Sequence, residues 1–195
     1  MNVDVVVKIG GGLLQRVEEF DRVLGVVAEL GRARRLLIVP GGGPFADVVR
    51  AVDARMSLSE DAAHWMAILA MDQHAHLIAE RLEHSALVTS AMEIAHAQSS
   101  ARIPVLAPYR WLRDADPLPH SWDVTSDSIA AWIAHAVGAP QLVLIKPSGA
   151  SGEDLVDRYF SRALSSGVSS ACVPADEIDG LLTARDLRKH SNARL

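Results

Sequence analysis

Cysteine is almost missing from this chain of 195 residues: Cys172 stands alone, so no disulfide can form within the chain and no cysteine cluster can hold a metal. A single thiol suits a reducing compartment, and the sequence predicts a cytoplasmic protein. No apolar run approaches the about 20 residues that span a bilayer, and the first residues lack the basic-then-apolar pattern of a signal peptide. The net charge is −5, with no long block of one sign, which gives nucleic acid no basic surface. Lysine is scarce too. Of 19 basic residues only Lys8, Lys146 and Lys189 are lysines; the rest are arginines.

Lysines kept in a chain that otherwise uses arginine are candidates for compact point charges rather than planar forks. Lys8 and Lys146 each stand at the edge of an apolar, strand-like run. Lys189 lies in a polar tail, residues 184–195, and reads as ordinary surface.

Hydrophobic residues make up 49% of the chain, enough for one sizeable core, and the sequence predicts a single domain over residues 1–195. Short apolar runs recur at 3–9, 35–40, 86–90, 103–107, 142–146 and 171–174. Helical patterns separate most of them. Phe20, Val23, Leu24, Val27 and Leu30 follow i, i+3, i+4 spacing; residues 57–83 carry the longest pattern, with Ser57 and Glu60 as a capping box; 126–137 and 153–165 read as two more helices. Strands that are apolar throughout and alternate with helices predict an α/β fold whose mainly parallel sheet is covered on both faces. The segment "PYRWLRDADPLPHSW" (108–122) carries three prolines and breaks the rhythm, so it is expected to be a long loop or lid.

Four polar clusters follow or border strands: Lys8 with Gly10, Gly11 and Gly12; Gly41, Gly42 and Gly43; "WDVTSD" (122–127); and "KPSGASG" (146–152). In parallel α/β sheets ligands bind beyond the C-terminal strand ends. Glycine lets a phosphate approach the backbone, whose N–H groups can cradle its oxygens. The plainer reading is that tight strand-to-helix turns need glycine; two triple-glycine clusters, one beside a rare lysine, favour the phosphate reading. Neither cluster has the Walker pattern or a convincing dinucleotide fingerprint. Thr125 or Ser126 could simply cap the next helix, with Asp127 favouring its N-terminus. Alternatively Asp127 faces the phosphates and holds lysines or Mg²⁺. The eight histidines show no ligand spacing, so no histidine metal site is expected. Trp111 and Trp122 flank the proline-rich segment and could wall a substrate or pack the loop down.

Taken together, "VVKIGGGLL" (6–14), "LLIVPGGGPFADVVR" (36–50) and "WDVTSDSIAAWIAHAVGAPQLVLIK" (122–146) resemble the amino acid kinase superfamily in order and spacing. The resemblance implies a three-layer αβα sandwich with a central sheet of about eight strands, and transfer of the γ-phosphate of ATP with Mg²⁺. By position, Lys8 resembles the lysine that stabilises the transferring phosphoryl group. Gly10, Gly11, Gly42 and Gly43 resemble the backbone donors to phosphate, with Gly12 beside them, and Asp127 the aspartate that organises the lysines. Asp123 stands where several members carry a substrate-binding asparagine, and Thr125 and Ser126 are placed with it at the acceptor. Ser148 and Gly149 occupy the place of a nucleotide-binding turn, although "IKPSGASG" departs from the family's pattern there. The family's later lysine-bearing segment has no counterpart, so Lys146 is expected to act as the second catalytic lysine. Within the superfamily the chain most resembles the small kinases of methanofuran biosynthesis, which phosphorylate (5-(aminomethyl)furan-3-yl)methyl phosphate to its diphosphate. Kinases of isopentenyl phosphate, uridylate or carboxylates, and a non-catalytic anion-storage protein on the same fold, are the alternatives. The Met- and Ala-rich 57–83 helix predicts a homodimer or higher homo-oligomer, with a small phosphorylated molecule as the other partner.

Overall fold

Alternation along the strands sets the architecture. In β1 (Val5–Ile9), Val5, Val7 and Ile9 pack into one apolar cluster and Val6 into another. In β2 (Leu36–Pro40), Leu36 and Ile38 join the first cluster, Leu37 and Val39 the second. Side chains leave a strand on alternate faces, so each cluster is one side of a sheet and both sides are covered. In the computed structural model, which describes residues 2–150 and 155–183, β3 (Ser85–Val88), β4 (Ile103–Leu106), β5 (Gln141–Lys146) and β6 (Ser169–Pro174) complete the sheet. Its order is β3-β4-β2-β1-β5-β6, and every pairing is parallel. All six apolar runs of the sequence are therefore strands. The described residues hold six strands where the resemblance implied about eight, because each strand comes from one of the six apolar runs.

One helical layer is α1 (Val17–Ala33), which buries the expected stripe of Phe20, Val23, Leu24, Val27 and Leu30, joined by Ile178 and by Leu181 of the short α8 (Gly180–Thr183). The other layer is α4 (Ala91–Ser99), α5 (Tyr109–Ala115), α6 (Ser126–Ala136) and α7 (Phe160–Ala163), through Ile94, Leu112, Ile133 and Phe160. Between β2 and β3 stand α2 (Gly43–Met56) and α3 (Glu60–Arg81). The latter serves both layers, with Ile68 and Met71 on one side and Ala75 and Ile78 on the other. This is a three-layer αβα sandwich.

Three local expectations are corrected. The capping box of Ser57 and Glu60 does not form: Ser57 ends α2 in the left-handed region at φ 52°, and Ser59 caps α3 by accepting from the Ala62 amide. The proline-rich segment is not all loop, since Tyr109–Ala115 is helical before Pro117 breaks the pattern. The helix expected at 153–165 shrinks to Phe160–Ala163, because Asp157 turns the chain to cap α6; residues 153 and 154 lie outside the described residues, as do the tail 184–195 and Lys189.

Candidate active site

Lys8 leaves β1 on the same side as Val6, toward α6, and Lys146 leaves β5 on the same side as Leu142 and Leu144. β1 and β5 are adjacent, with Lys8 level with Leu144, so Lys146 lies two residues further along the same face. Both side chains converge on the first turn of α6. Lys8 Nζ is 2.8 Å from Asp127 Oδ1, and Lys146 Nζ donates to Asp127 Oδ2 at 2.8 Å. Lys8 is 4% exposed and Asp127 5%. Two ammonium groups and one carboxylate leave a net positive charge in a buried place at the C-terminal end of the sheet.

The pKa shifts follow from that arrangement. Burial alone raises the Asp127 pKa, but the charges of Lys8 and Lys146 outweigh it and hold the carboxyl below its ordinary value. Burial, with help from the Lys8 charge, lowers the pKa of Lys146 against the opposing pull of Asp127. The sole cysteine, Cys172 on β6, is buried with its pKa raised by desolvation, and belongs to the core. Each Asp127 oxygen lies 2.8 Å from one lysine nitrogen, a geometry that suits a carboxylate holding two lysines in place.

The two triple-glycine clusters touch each other. A Cβ on Gly11 would lie 2.1 Å from the Gly43 nitrogen, and one on Gly41 would lie 2.6 Å from the Gly11 nitrogen. Gly43 also stands at φ +55°, a conformation costly for any other residue. The glycines are therefore required for loop-on-loop packing. Gly11 and Gly12 open a 3-10 turn (Gly11–Gln15) and Gly42 and Gly43 open α2, where N–H groups lack intrahelical acceptors. All four line one cavity of about 320 Å³. Gly10 does not join them. Its N–H donates to the Ile145 carbonyl at 2.9 Å and its missing Cβ makes room for that same oxygen, so the expected phosphate donor is a strand-to-strand contact instead.

The cavity runs from the glycines between α2, α3 and the start of α6. Ile68, Met71, Val124 and Ile129 give it an apolar floor, and Thr125 and Ser126 also line it. Trp122 forms a wall, its indole N–H donating to Asp53 at 2.7 Å and its ring covered by Arg50 at 4.8 Å. Trp111 packs edge-on against Trp132 beside the core and so packs its segment down, whereas Trp122 lines the cavity. Asp123 is not among the lining residues; its exposed carboxylate faces Arg158 at 3.6 Å, because the chain turns at Ser121 and carries it outward. Ser148 is also drawn away. Its N–H donates to Glu19 at 3.1 Å and its carbonyl accepts from Arg16, which ties the turn after β5 to α1. Gly149 follows at φ +77° in open space, a turn requirement and not a contact with the lysine pair.

Three residues were missed by sequence reading. Asp157 accepts from the Thr125 and Ser128 amides at 2.9 and 3.0 Å and from both hydroxyls, so it caps α6 from another segment and fixes the turn that bears Asp127. His74, on α3, is 0% exposed, and its Nδ1 lies 2.7 Å from the Gly41 carbonyl. Burial and the nearby Lys8 charge push its pKa down to about 4, although the Gly41 contact works the other way. The ring is thus neutral and donates from Nδ1 to the Gly41 carbonyl. His120 bridges Asp61 and Asp116 at 2.6 and 2.8 Å and stacks on His64 at the cavity rim. None of these contacts has a local signal: the partners lie far apart in sequence, save His120 and Asp116. Among the described residues, no group of three or more His, Cys, Asp or Glu is placed to hold a metal ion, and no helix is long and apolar enough to cross a membrane.

The family model described as "Amino acid kinase family" matches residues 5–148. The [5-(aminomethyl)furan-3-yl]methyl phosphate kinase of Methanocaldococcus jannaschii is 29% identical over 139 residues, 71% of this chain. The chain spans 63% of the length of that curated relative. Among solved structures, the UMP kinase of Ureaplasma parvum superposes with a TM-score of 0.72 over 95% of this chain and 97% of its own, at 14% identity. The uridylate kinase of Archaeoglobus fulgidus gives 0.69 over 92% and 94%, also at 14% identity. These two likenesses concern the fold. The family match spans β1, both glycine clusters, Asp127 and Lys146: the chain belongs to the amino acid kinase family.

Proposed function

We propose that this protein is an ATP-dependent phosphotransferase whose acceptor is itself a phosphomonoester. One observation carries the reading: two lysines on adjacent strands share one buried aspartate, which follows Thr125 and Ser126 of the cavity lining directly in the chain, while four glycines line the same cavity. An acceptor phosphate carries nearly two negative charges, and ATP brings more. Bringing them to in-line distance is strongly repulsive in a low dielectric. Lys8 and Lys146 offset that repulsion and stabilise charge spread over the moving phosphoryl group, as fixed donors do. Asp127 keeps the two ammonium groups from driving each other apart. No general base is required, because the acceptor oxygen is already ionised. Mg²⁺ fits as a ligand of the nucleotide phosphates, its usual mode, since the chain offers no all-protein cage among the described residues. When bound, it neutralises phosphate charge.

The acceptor we favour is [5-(aminomethyl)furan-3-yl]methyl phosphate, converted to its diphosphate. The relative from M. jannaschii supports this choice through its name. An apolar floor with an aromatic wall suits a small ring, and the glycine end suits its phosphate. A cytoplasmic setting and a homo-oligomer belong to the same reading; Val48 and Met56 of α2 and Leu69 of α3 are exposed apolar side chains that a second copy would cover. The test is turnover by the purified chain with Mg-ATP and a panel of acceptors: the furan phosphate, UMP, isopentenyl phosphate and a carboxylate. Product mass identifies the acceptor. Preference for UMP or isopentenyl phosphate overturns the acceptor assignment, and absence of turnover with every acceptor overturns the enzyme. Light scattering at micromolar concentration reads the oligomer.

A further inference from the structure

A second cavity, of about 310 Å³, opens at the other end of the sheet, where β2 and β4 begin. Arg32, Arg34, Arg35, His84, Gln98 and Arg102 line it over an apolar floor of Ala28, Leu36 and Ile103. Four of the chain's sixteen arginines thus gather in one hollow of a protein whose net charge is −5. Among the described residues Glu83 is the only acidic one in the lining, and Asp4 faces Arg35 at 3.5 Å. α1 and α4 end here and contribute about half a negative charge each. Among the described residues, neither Arg32 nor Arg102 is paired with a carboxylate. The Arg102 guanidinium donates to the neutral Ser85 carbonyl, which orients it without cancelling its charge. The Gln98 side-chain nitrogen is buried and has no acceptor, an unfavourable state for a donor. A positive hollow with an unfilled donor and an apolar floor is complementary to an anionic head on a small carbon body.

We propose that this cavity is a second, non-catalytic binding site for a small organic phosphate. Arg32, Arg102 and the Gln98 amide would hold the phosphoryl oxygens through charge-assisted hydrogen bonds, and Ala28, Leu36 and Ile103 the carbon body. The opening to solvent makes the attraction sensitive to salt. The inference is independent of the proposed activity, because it concerns the opposite end of the strands.

The test is a ¹H–¹⁵N NMR titration of the whole chain with glycerol 3-phosphate, and separately with inorganic phosphate. Amides of Gly31, Ala101 and Arg102 report on this cavity, and those of Gly11 and Gly43 on the lysine-pair site. The expected result is saturable shifts in both groups, with the cavity midpoint rising as NaCl is added. In the Arg32→Gln/Arg102→Gln variant the cavity midpoint rises at least about tenfold, while Gly11 and Gly43 respond as before. Glu83→Gln, which removes the opposing charge, lowers the cavity midpoint severalfold. Tighter binding of glycerol 3-phosphate than of inorganic phosphate identifies an organic ligand, and the reverse order overturns that part of the assignment. Shifts confined to Gly11 and Gly43, or cavity shifts that survive the double substitution, overturn the site. Signal dispersion in the same spectra shows whether each variant is folded.

Discussion

Lys8 and Lys146, two residues apart in register on neighbouring strands, rest at 2.8 Å on the two oxygens of Asp127. Neither lysine can be altered without changing the charge balance felt by the other.

Lys8→Ala is expected to fold, because Lys146 and Asp127 remain as a pair. It should lower kcat about a hundredfold or more, the scale of losing one fixed donor to transition-state charge. Steady-state kinetics with Mg-ATP and the furan phosphate measures this; near-normal turnover in a folded variant removes Lys8 from the chemistry.

Lys146→Met should leave acceptor binding nearly intact and abolish most transfer from ATP. Lys146→Arg should restore little, since a planar fork does not reproduce a point charge on one carboxylate oxygen. Acceptor affinity by calorimetry and kcat by product mass separate the two effects. Wild-type kcat in Lys146→Met would pass the role to an arginine.

Asp127→Asn should be the most destabilising of the three site changes, because it leaves two buried ammonium groups with no counter-charge. A loss of about 3 kcal/mol or more is the scale for breaking a buried pair from one side. Chemical denaturation at pH 7 reads it directly, and a loss below that of Lys8→Ala contradicts the arrangement.

Gly43→Val should prevent normal folding, and not merely weaken ligand binding as the sequence alone would suggest. The new Cβ would meet the Gly11 carbonyl oxygen at 2.7 Å, and φ is +55°. Circular dichroism and a thermal melt decide the matter: a melt like that of the unsubstituted chain would mean that the two glycine loops are not in contact.

His74 makes stability depend on pH in a defined window. Its folded pKa, about 4, lies below the ordinary 6.5, so the unfolded chain binds a proton first as pH falls. Its contribution is present above about pH 6.5 and is lost toward pH 4, at up to about 1.4 kcal/mol per pH unit. His74→Asn, which retains a side-chain donor, should close the gap to the unsubstituted protein as pH falls through this window. Urea denaturation at pH 7, 6 and 5 measures it; a constant difference refutes the assignment.

By itself the sequence determined the strands and the parallel α/β class, and it singled out Lys8, Asp127 and Lys146, which the structure brings together, and the two glycine loops, which it brings into contact, because each is written in a local pattern: an apolar run, a periodicity, a rare lysine at a strand end. It could not determine which backbone donors stay available. Gly10 and Gly11 are neighbours with the same side chain, yet one amide is bonded to β5 and the other opens a helical turn toward the cavity. It did not reveal Asp157 or His74, whose partners lie 32 and 33 residues away. Nor did it place Asp123 and Ser148, which a local motif puts at the site and which Arg158 and Glu19 draw aside. Hydrogen bonds and ion pairs are satisfied by whichever group the packed chain brings within about 3 Å. For these residues that group comes from another element, so only the tertiary structure decides it.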